Sequence, residues 1–91
     1  LMASGKSLQV EVVSHEGRLW HGAAASVQVP SVDGSLGILP GRQPLLAQLG
    51  GGTVTVTCSG EVVSFEVSGG FASIDLDFVT LVADSATVTA Q

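Results

Sequence analysis

Strict alternation of apolar and polar residues is the feature that most constrains the fold of this chain. It is clearest in residues 53–58, where Val54, Val56 and Cys58 alternate with threonines. Successive side chains of a β-strand point to opposite faces, and β-branched residues are favoured there, so this pattern predicts a strand buried on one side. Similar short runs recur along the chain between glycine-rich turns, without a helical period. We therefore predict an all-β sandwich or barrel.

Composition limits the size and the class of the protein. The 91 residues are enough for one small domain, and 45% apolar with only 12% charged residues is not typical of a disordered chain. The net charge is −5, with Lys6, Arg18 and Arg42 as the cations. Three scattered cations cannot form the basic patch that nucleic-acid-binding proteins show or that anionic lipids attract. The single Cys58 cannot form an internal disulfide, which indicates a reducing compartment.

No apolar run approaches the roughly 18–20 residues of a membrane-spanning helix, and no signal peptide is visible, so we expect no direct membrane insertion. We predict a domain over residues 8–86 and a C-terminal tail over residues 87–91. Residues 1–7 are expected to be a disordered N-terminus or, because Leu1 precedes Met2, in part a remnant of cloning.

Glycines and prolines punctuate one segment at close intervals, Gly34-Ser35-Leu36-Gly37-Ile38-Leu39-Pro40-Gly41-Arg42-Gln43-Pro44-Leu45-Leu46. Glycine allows backbone angles that other residues disfavour, and proline fixes one angle, so the segment predicts a surface loop of one defined shape. It resembles the signature loop of the epsilon subunit of F-type ATP synthase, which is called delta in mitochondria. Four further segments resemble family motifs in the expected order, over about residues 8–86. They are Val10-Glu11-Val12-Val13-Ser14-His15-Glu16-Gly17, Leu19-Trp20-His21-Gly22, Ser68-Gly69-Gly70-Phe71-Ala72-Ser73-Ile74 and Thr80-Leu81-Val82-Ala83-Asp84-Ser85-Ala86.

The resemblance implies a ten-stranded β-sandwich of two five-stranded sheets, without the C-terminal helical hairpin that usually follows it in the family. It implies a non-catalytic subunit at the foot of the rotating central stalk, bound to the gamma subunit and to the ring of c subunits. There the domain helps couple rotation to ATP synthesis, peripheral on the cytoplasmic face of the bacterial plasma membrane. Residues 84–91 are too short for the two helices, so we expect no ATP binding and no cofactor.

The resemblance also implies which loops face the c-ring. These residues are Ser14, His15, Asp33, Gly34, Ser35, Leu36 and Gly37. A second group either only shapes the loop or also contacts a partner, namely Pro40, Gly41, Arg42 and Pro44. We expect the backbone at Gly34 and Gly37 to adopt a conformation that requires glycine, so that a side chain at either position would deform the loop.

The segment departs from the family pattern at two positions. Ser35 replaces the usual acid, and Asp33 is a candidate substitute for its charge. Arg42 replaces the usual histidine, and it is either a solvated cation or the partner of an acid on gamma or the ring. Because arginine does not titrate near neutral pH, this position cannot sense pH.

Several other residues have alternative interpretations. Trp20 is either a core residue or a partial anchor for gamma, because aromatic residues concentrate binding energy at interfaces. Leu76 and Phe78 lie in a predicted turn, as part of a changed loop or as an exposed apolar contact. His15 and His21 have no accompanying ligand cluster that would suggest a metal site.

Enzyme functions lack their usual parts, since there is no nucleophile elbow and no phosphate-binding loop. The main alternative is a stand-alone β-sandwich that binds a ligand or a protein. A lipoyl-type carrier domain is excluded because the sole lysine, Lys6, precedes the first strand rather than lying at a hairpin tip.

Overall fold

A computed structural model describes residues 7–90, and only the backbone in the case of Ala90. These residues form eight β-strands. The strands are β1 Leu8–Ser14, β2 Gly17–Ala24, β3 Ser26–Ser31, β4 Gly34–Ile38, β5 Leu45–Cys58, β6 Glu61–Asp75, β7 Phe78–Ala83 and β8 Ala86–Ala90. The described residues contain no helix, and the predicted all-β class is confirmed.

The strands follow the alternation seen in the sequence. Leu8, Val10 and Val12 are buried in β1, and Val63, Phe65 and Val67 are buried in β6, while the residues between them are half-buried or exposed. This is the burial expected of strands that are covered on one face only. The inward residues of all the longer strands form one apolar core.

Hydrogen bonding joins the strands in the order β2-β1-β7-β6-β5-β3-β4, with β8 paired to β6. The two long strands pair with each other along their whole length, and β6 changes its other neighbour half-way along. Strand β6 pairs with β8 over residues 64–67 and with β7 over residues 70–75. Each long strand therefore contributes to both layers of the sandwich. We call β2, β1, β7, the second half of β6 and the first half of β5 the first layer, and the remaining segments the second layer.

The predicted count of ten strands is not found, since residues 7–90 form eight. The chain bends at residues 50–52 and 69–70 without ending the strand, so β5 and β6 each run through both layers. A second difference concerns the C-terminus, where Ala86–Ala90 forms β8 in place of the predicted tail. Gln91 and residues 1–6 lie outside the described residues.

Gly70 shows why a glycine is needed where β6 bends. Its φ angle is +126°, in the region that residues with a Cβ rarely adopt. A Cβ at this position would lie 2.8 Å from Ala83 Cα and would collide with the carbonyl oxygen of Val82. The close approach of β6 and β7 at the bend therefore depends on the missing side chain.

The turns gather at two ends of the sandwich. At the bend end, the β1–β2 turn, the β3–β4 turn and the β7–β8 turn surround the glycines of β5 and β6. There Asp84 N donates to Gly69 O at 2.9 Å, and Val32 N donates to Gln48 O at 3.1 Å. At the opposite end lie the β5–β6 and β6–β7 turns and the loop over residues 39–44, where Gln9 N donates to Asp77 O at 2.8 Å.

Candidate partner-binding surfaces

An open groove of about 570 Å³ lies between the edge of β4 and the first half of β5. The β3–β4 turn and β4 form one wall, and Arg42 with residues 45–48 forms the other. The groove exists because the chain leaves β4 at Ile38, passes through the loop and returns along β5. The edge of β4 and the first half of β5 therefore both face the groove.

The β3–β4 turn is held by the side chain of Ser31. Its hydroxyl donates to Gly34 O at 2.6 Å and accepts from Asp33 N at 3.2 Å. Gly34 has a φ angle of +123°, which explains the glycine at this position. The turn presents the exposed Asp33 at the rim of the groove.

Asp33 and Arg42 supply opposite charges to the groove without pairing with each other. Among residues 7–90, one ion pair is found, between the exposed side chains of Arg18 and Glu11, with 3.4 Å from Nη1 to Oε2. Within the same residues, neither the Asp33 carboxylate nor the Arg42 guanidinium makes a hydrogen bond; Asp33 donates only through its backbone N–H, to Ser31. Both charges are therefore available to an external polar group.

The structure brings four of the predicted ring-facing or loop residues to this groove: Asp33, Ser35, Leu36 and Arg42. Gly37 lies in β4 with an exposed backbone of ordinary φ, and a Cβ there would meet no atom within 4 Å. The expectation that the backbone requires glycine is therefore right for Gly34 and wrong for Gly37.

Ser14 and His15 lie in the β1–β2 turn and do not line the groove. Ser14 is 7% exposed, and its hydroxyl accepts from Glu16 N at 3.2 Å, so this side chain shapes the turn. His15 is exposed, and its Nδ1 donates to Asp84 O at 3.0 Å. Their contact with a c-ring stays a prediction.

The loop over residues 39–44 contains the predicted loop-shaping residues Pro40, Gly41 and Pro44. Gly41 has a φ angle of +85°. Its amide donates to Asp77 Oδ1 at 2.7 Å, which ties the loop to the β6–β7 turn. No pattern in the sequence indicates this contact, because the two residues are 36 positions apart.

Trp20 points inward. The residue is half-buried and packs against the core, where its ring meets that of Phe65 in the other layer. A Cβ at Gly22 would lie 3.0 Å from Trp20 Cη2, so the small residue leaves room for the indole. The core interpretation of Trp20 is therefore the better supported one.

An apolar row on the outer face of the first layer was missed. Val13, Val82 and Phe71 are register neighbours on β1, β7 and β6, and Leu46 is the diagonal neighbour of Phe71 on β5. Phe71 is 53% exposed, Val82 47% and Leu46 69%. Contiguous exposed apolar residues mark interaction surfaces. We call these four residues the apolar row; at Leu46 it meets the groove.

Metal-ligating side chains are not clustered in the part of the chain that the structure describes. No group of three or more His, Cys, Asp and Glu side chains there could hold a metal ion. Burial raises the pKa of the Cys58 thiol, and the negative charge of Glu61 raises it further, so less of the thiol is ionised than in an unperturbed cysteine. No helix capable of spanning a membrane is found among residues 7–90.

The family model described as "ATP synthase, Delta/Epsilon chain, beta-sandwich domain" matches residues 7–89. The chain belongs to this family. An ATP synthase epsilon chain of Micrococcus luteus is 49% identical over 80 residues, which are 87% of this chain and 88% of that protein. One of Rhodococcus erythropolis is 44% identical, over 87% of this chain and 66% of that protein. The "ATP synthase epsilon chain 2" of Ralstonia nicotianae is 52% identical, over 87% of this chain and 58% of that protein.

Two solved structures share the fold of this delta/epsilon-type sandwich. The first is a chain in a structure of the Euglena gracilis mitochondrial ATP synthase that is described as OSCP/F1/c-ring. Its TM-score is 0.84 at 21% identity, and the match covers 90% of this chain and 53% of that chain. A chain in the central stalk/c-ring structure from Tetrahymena thermophila has a TM-score of 0.77 at 13% identity, covering 90% of this chain and 66% of its own. At these identities the likeness concerns the fold.

These matches confirm the predictions of an ATP synthase epsilon-type sandwich and of a non-catalytic subunit. The three relatives named above are bacterial proteins. The chain spans about two thirds of the Rhodococcus relative and less of the Ralstonia relative.

Proposed function

We propose that this sandwich binds the gamma subunit and the ring of c subunits of an F-type ATP synthase and helps couple rotation to ATP synthesis. Its predicted location is peripheral, on the cytoplasmic face of a bacterial plasma membrane. The observation that carries the proposal is the groove, in which residues from both ends of the signature segment meet. Asp33 and Ser35 enter it from the β3–β4 turn and β4, and Arg42 enters it from the loop.

The groove is suited to a polar loop of a c subunit. It offers an anion and a cation that pair with nothing within residues 7–90, beside the half-buried Leu36. Because Arg42 can pair with a carboxylate through two hydrogen bonds, we assign it the stronger contact. Asp33 supplies the negative charge that Ser35 lacks.

The apolar row is suited to gamma. It crosses four neighbouring strands, and strands are about 4.8 Å apart, so the row is about 14 Å long. Aromatic and aliphatic anchors of this kind carry much of the energy of protein interfaces. Trp20 contributes at most through its exposed portion, because its ring packs toward the core.

Binding of purified gamma and c-ring to the chain, followed by size-exclusion chromatography and titration, tests the proposal. Arg42→Gln should weaken c-ring binding about tenfold, as expected for the loss of a charged hydrogen-bonded pair. Val82→Ser should weaken gamma binding. Val62→Ser is the matched control, because Val62 is also 47% exposed but lies on the outer face of the second layer.

We expect the unsubstituted chain to form a complex with each partner. Arg42→Gln should weaken only the binding of the c-ring, and Val82→Ser only the binding of gamma. A folded chain that binds neither partner would favour the stand-alone binding module instead. Equal effects of Val82→Ser and Val62→Ser on gamma binding would overturn the assignment of the apolar row. We expect no binding of ATP in the same titrations.

A further inference from the structure

The β6–β7 turn has a backbone conformation that suits Asp77 but not Leu76. Asp75 pairs with Phe78, so Leu76 and Asp77 form a two-residue hairpin loop. Their φ angles are 49° and 65°. Two positive φ angles are typical of a type I′ turn, in which Gly, Asn and Asp are preferred. Leucine is an outlier there, and Leu76 is 83% exposed, so no packing explains it.

Asp77 makes two contacts that a turn residue does not need for the turn itself. Its carboxylate oxygen Oδ1 accepts from Gly41 N at 2.7 Å, and its carbonyl oxygen accepts from Gln9 N at 2.8 Å. The first contact reaches the loop over residues 39–44, and the second reaches β1. Asp77 therefore connects the loop over residues 39–44 to the first layer at the turn of the β6–β7 hairpin.

The loop has little else to hold it. Among residues 7–90, the Gly41–Asp77 contact is the only side-chain hydrogen bond that joins residues 39–44 to another part of the fold. Gly41, Arg42 and Gln43 are exposed. A hydrogen bond to a carboxylate is stronger than one between neutral groups. Its loss would leave the loop attached mainly through β4 and β5.

We infer that Asp77 is a positioning residue: it fixes the loop at Gly41 and thereby holds Arg42 at the groove. Its carboxylate acts on the backbone of residue 41, one position before Arg42, and touches no partner itself. The functional half of this inference, that Asp77 helps Arg42 to bind a partner, rests on the proposed binding of the c-ring. The structural half, the fixing of Gly41, does not.

Three variants separate this role from the role of Asp77 in the turn. Asp77→Gly keeps a residue that adopts a positive φ angle easily but removes the acceptor. Asp77→Asn keeps both the acceptor and a tolerance for this φ angle. Leu76→Gly changes the neighbouring turn residue without touching the contact to Gly41.

The first measurement is hydrogen exchange of the Gly41 amide by NMR on the isotope-labelled chain. We expect exchange about tenfold faster in Asp77→Gly, corresponding to about 1.4 kcal/mol. Exchange should remain near that of the unsubstituted chain in Asp77→Asn and Leu76→Gly. The spectra also show whether each variant is folded. Unchanged exchange of Gly41 in folded Asp77→Gly would overturn the structural half of the inference.

The second measurement is the affinity of the same variants for purified c-ring. We expect Asp77→Gly to weaken binding about tenfold, and to have no further effect when Arg42 is already glutamine. An additive loss in the double variant, or no loss in Asp77→Gly, would overturn the positioning role. If the unsubstituted chain does not bind the c-ring, the proposed function fails, and the Gly41 exchange still decides whether Asp77 fixes the loop.

Discussion

The ring of Trp20 meets the ring of Phe65 edge-on, with 6.2 Å between the ring centroids and 63° between the ring planes. Trp20 lies on β2 in the first layer, and Phe65 lies in the half of β6 that belongs to the second layer. The contact therefore crosses the core and joins the two layers. Aromatic pairs in this arrangement contribute about 0.5–1.5 kcal/mol beyond the burial of their surface.

Removal of the Phe65 ring should be among the most destabilising single changes. Phe65 is fully buried, so Phe65→Ala should lower the free energy of unfolding by about 3–5 kcal/mol through lost burial and a cavity. Urea denaturation measures this loss. Phe71→Ala is the matched control in the same strand, since Phe71 is half exposed, and it should cost about 1 kcal/mol or less. Similar losses for both would contradict the assignment of inner and outer faces.

Gly70 should not tolerate a side chain. Its φ angle is positive, and a methyl group added there would lie 2.8 Å from Ala83 Cα, so the backbone leaves no room for one. We expect Gly70→Ala to cost on the order of 4 kcal/mol or to prevent folding. Gly37→Ala should cost about 0.5 kcal/mol or less, because nothing lies within 4 Å of that position. Thermal unfolding followed by circular dichroism compares the two, and a stable Gly70→Ala protein would refute the proposed close approach.

Leu76→Gly should stabilise the fold. The φ angle of 49° costs a leucine about 1 kcal/mol or more, and glycine adopts it without that cost. Part of the gain is offset because glycine gives the unfolded chain more freedom. We expect a net gain of about 0.5–1 kcal/mol in the free energy of unfolding. Leu76→Ala keeps the strain and should change stability little, so an equal gain in both variants would argue against strain.

The raised pKa of Cys58 predicts a dependence of stability on alkaline pH. Burial and the charge of Glu61 keep the thiol protonated in the folded state where it ionises in the unfolded state. Stability is therefore unaffected below the unfolded pKa and falls as the pH rises above it. Denaturant titrations at neutral and alkaline pH measure this fall.

The same pKa shift predicts slow alkylation of the folded thiol at mildly alkaline pH, since the thiolate is the nucleophile. Glu61→Gln should speed the reaction with iodoacetamide, because it removes one cause of the shift. Glu66→Gln, a change of the same kind further along β6, should not. Equal rates for both variants and the unsubstituted chain would show that the charge of Glu61 has no effect.

Much of the fold could be predicted because the burial of each strand residue follows a period of two. This holds for Val54 and Val56, which are buried as their alternation predicts. The strand count could not be predicted in the same way. Whether a glycine ends or bends a strand depends on its partners, and Gly70 pairs with both Leu49 and Ala83. Residues 86–90 do alternate, as Ala-Thr-Val-Thr-Ala, but the run is short and terminal, and its pairing with the free edge of β6 is what the sequence does not show.

The candidate surfaces were predictable only where their residues are close in sequence. Asp33 and Arg42 belong to one motif-rich segment, and the structure places both at the groove. The contact of Gly41 with Asp77 depends on two hairpins meeting at one end of the sandwich. The apolar row depends on strand register, because Val13, Phe71 and Val82 become neighbours only when β1, β7 and β6 are aligned.

The continuity of β5 and β6 through both layers has a mechanical consequence. Many sandwiches consist of separate sheets that touch only through side chains, so a sideways load can make one sheet slip over the other. Here two covalent backbones run from one layer into the other. We therefore expect a load on the groove to be carried along peptide bonds into both layers, and not by side-chain contacts alone.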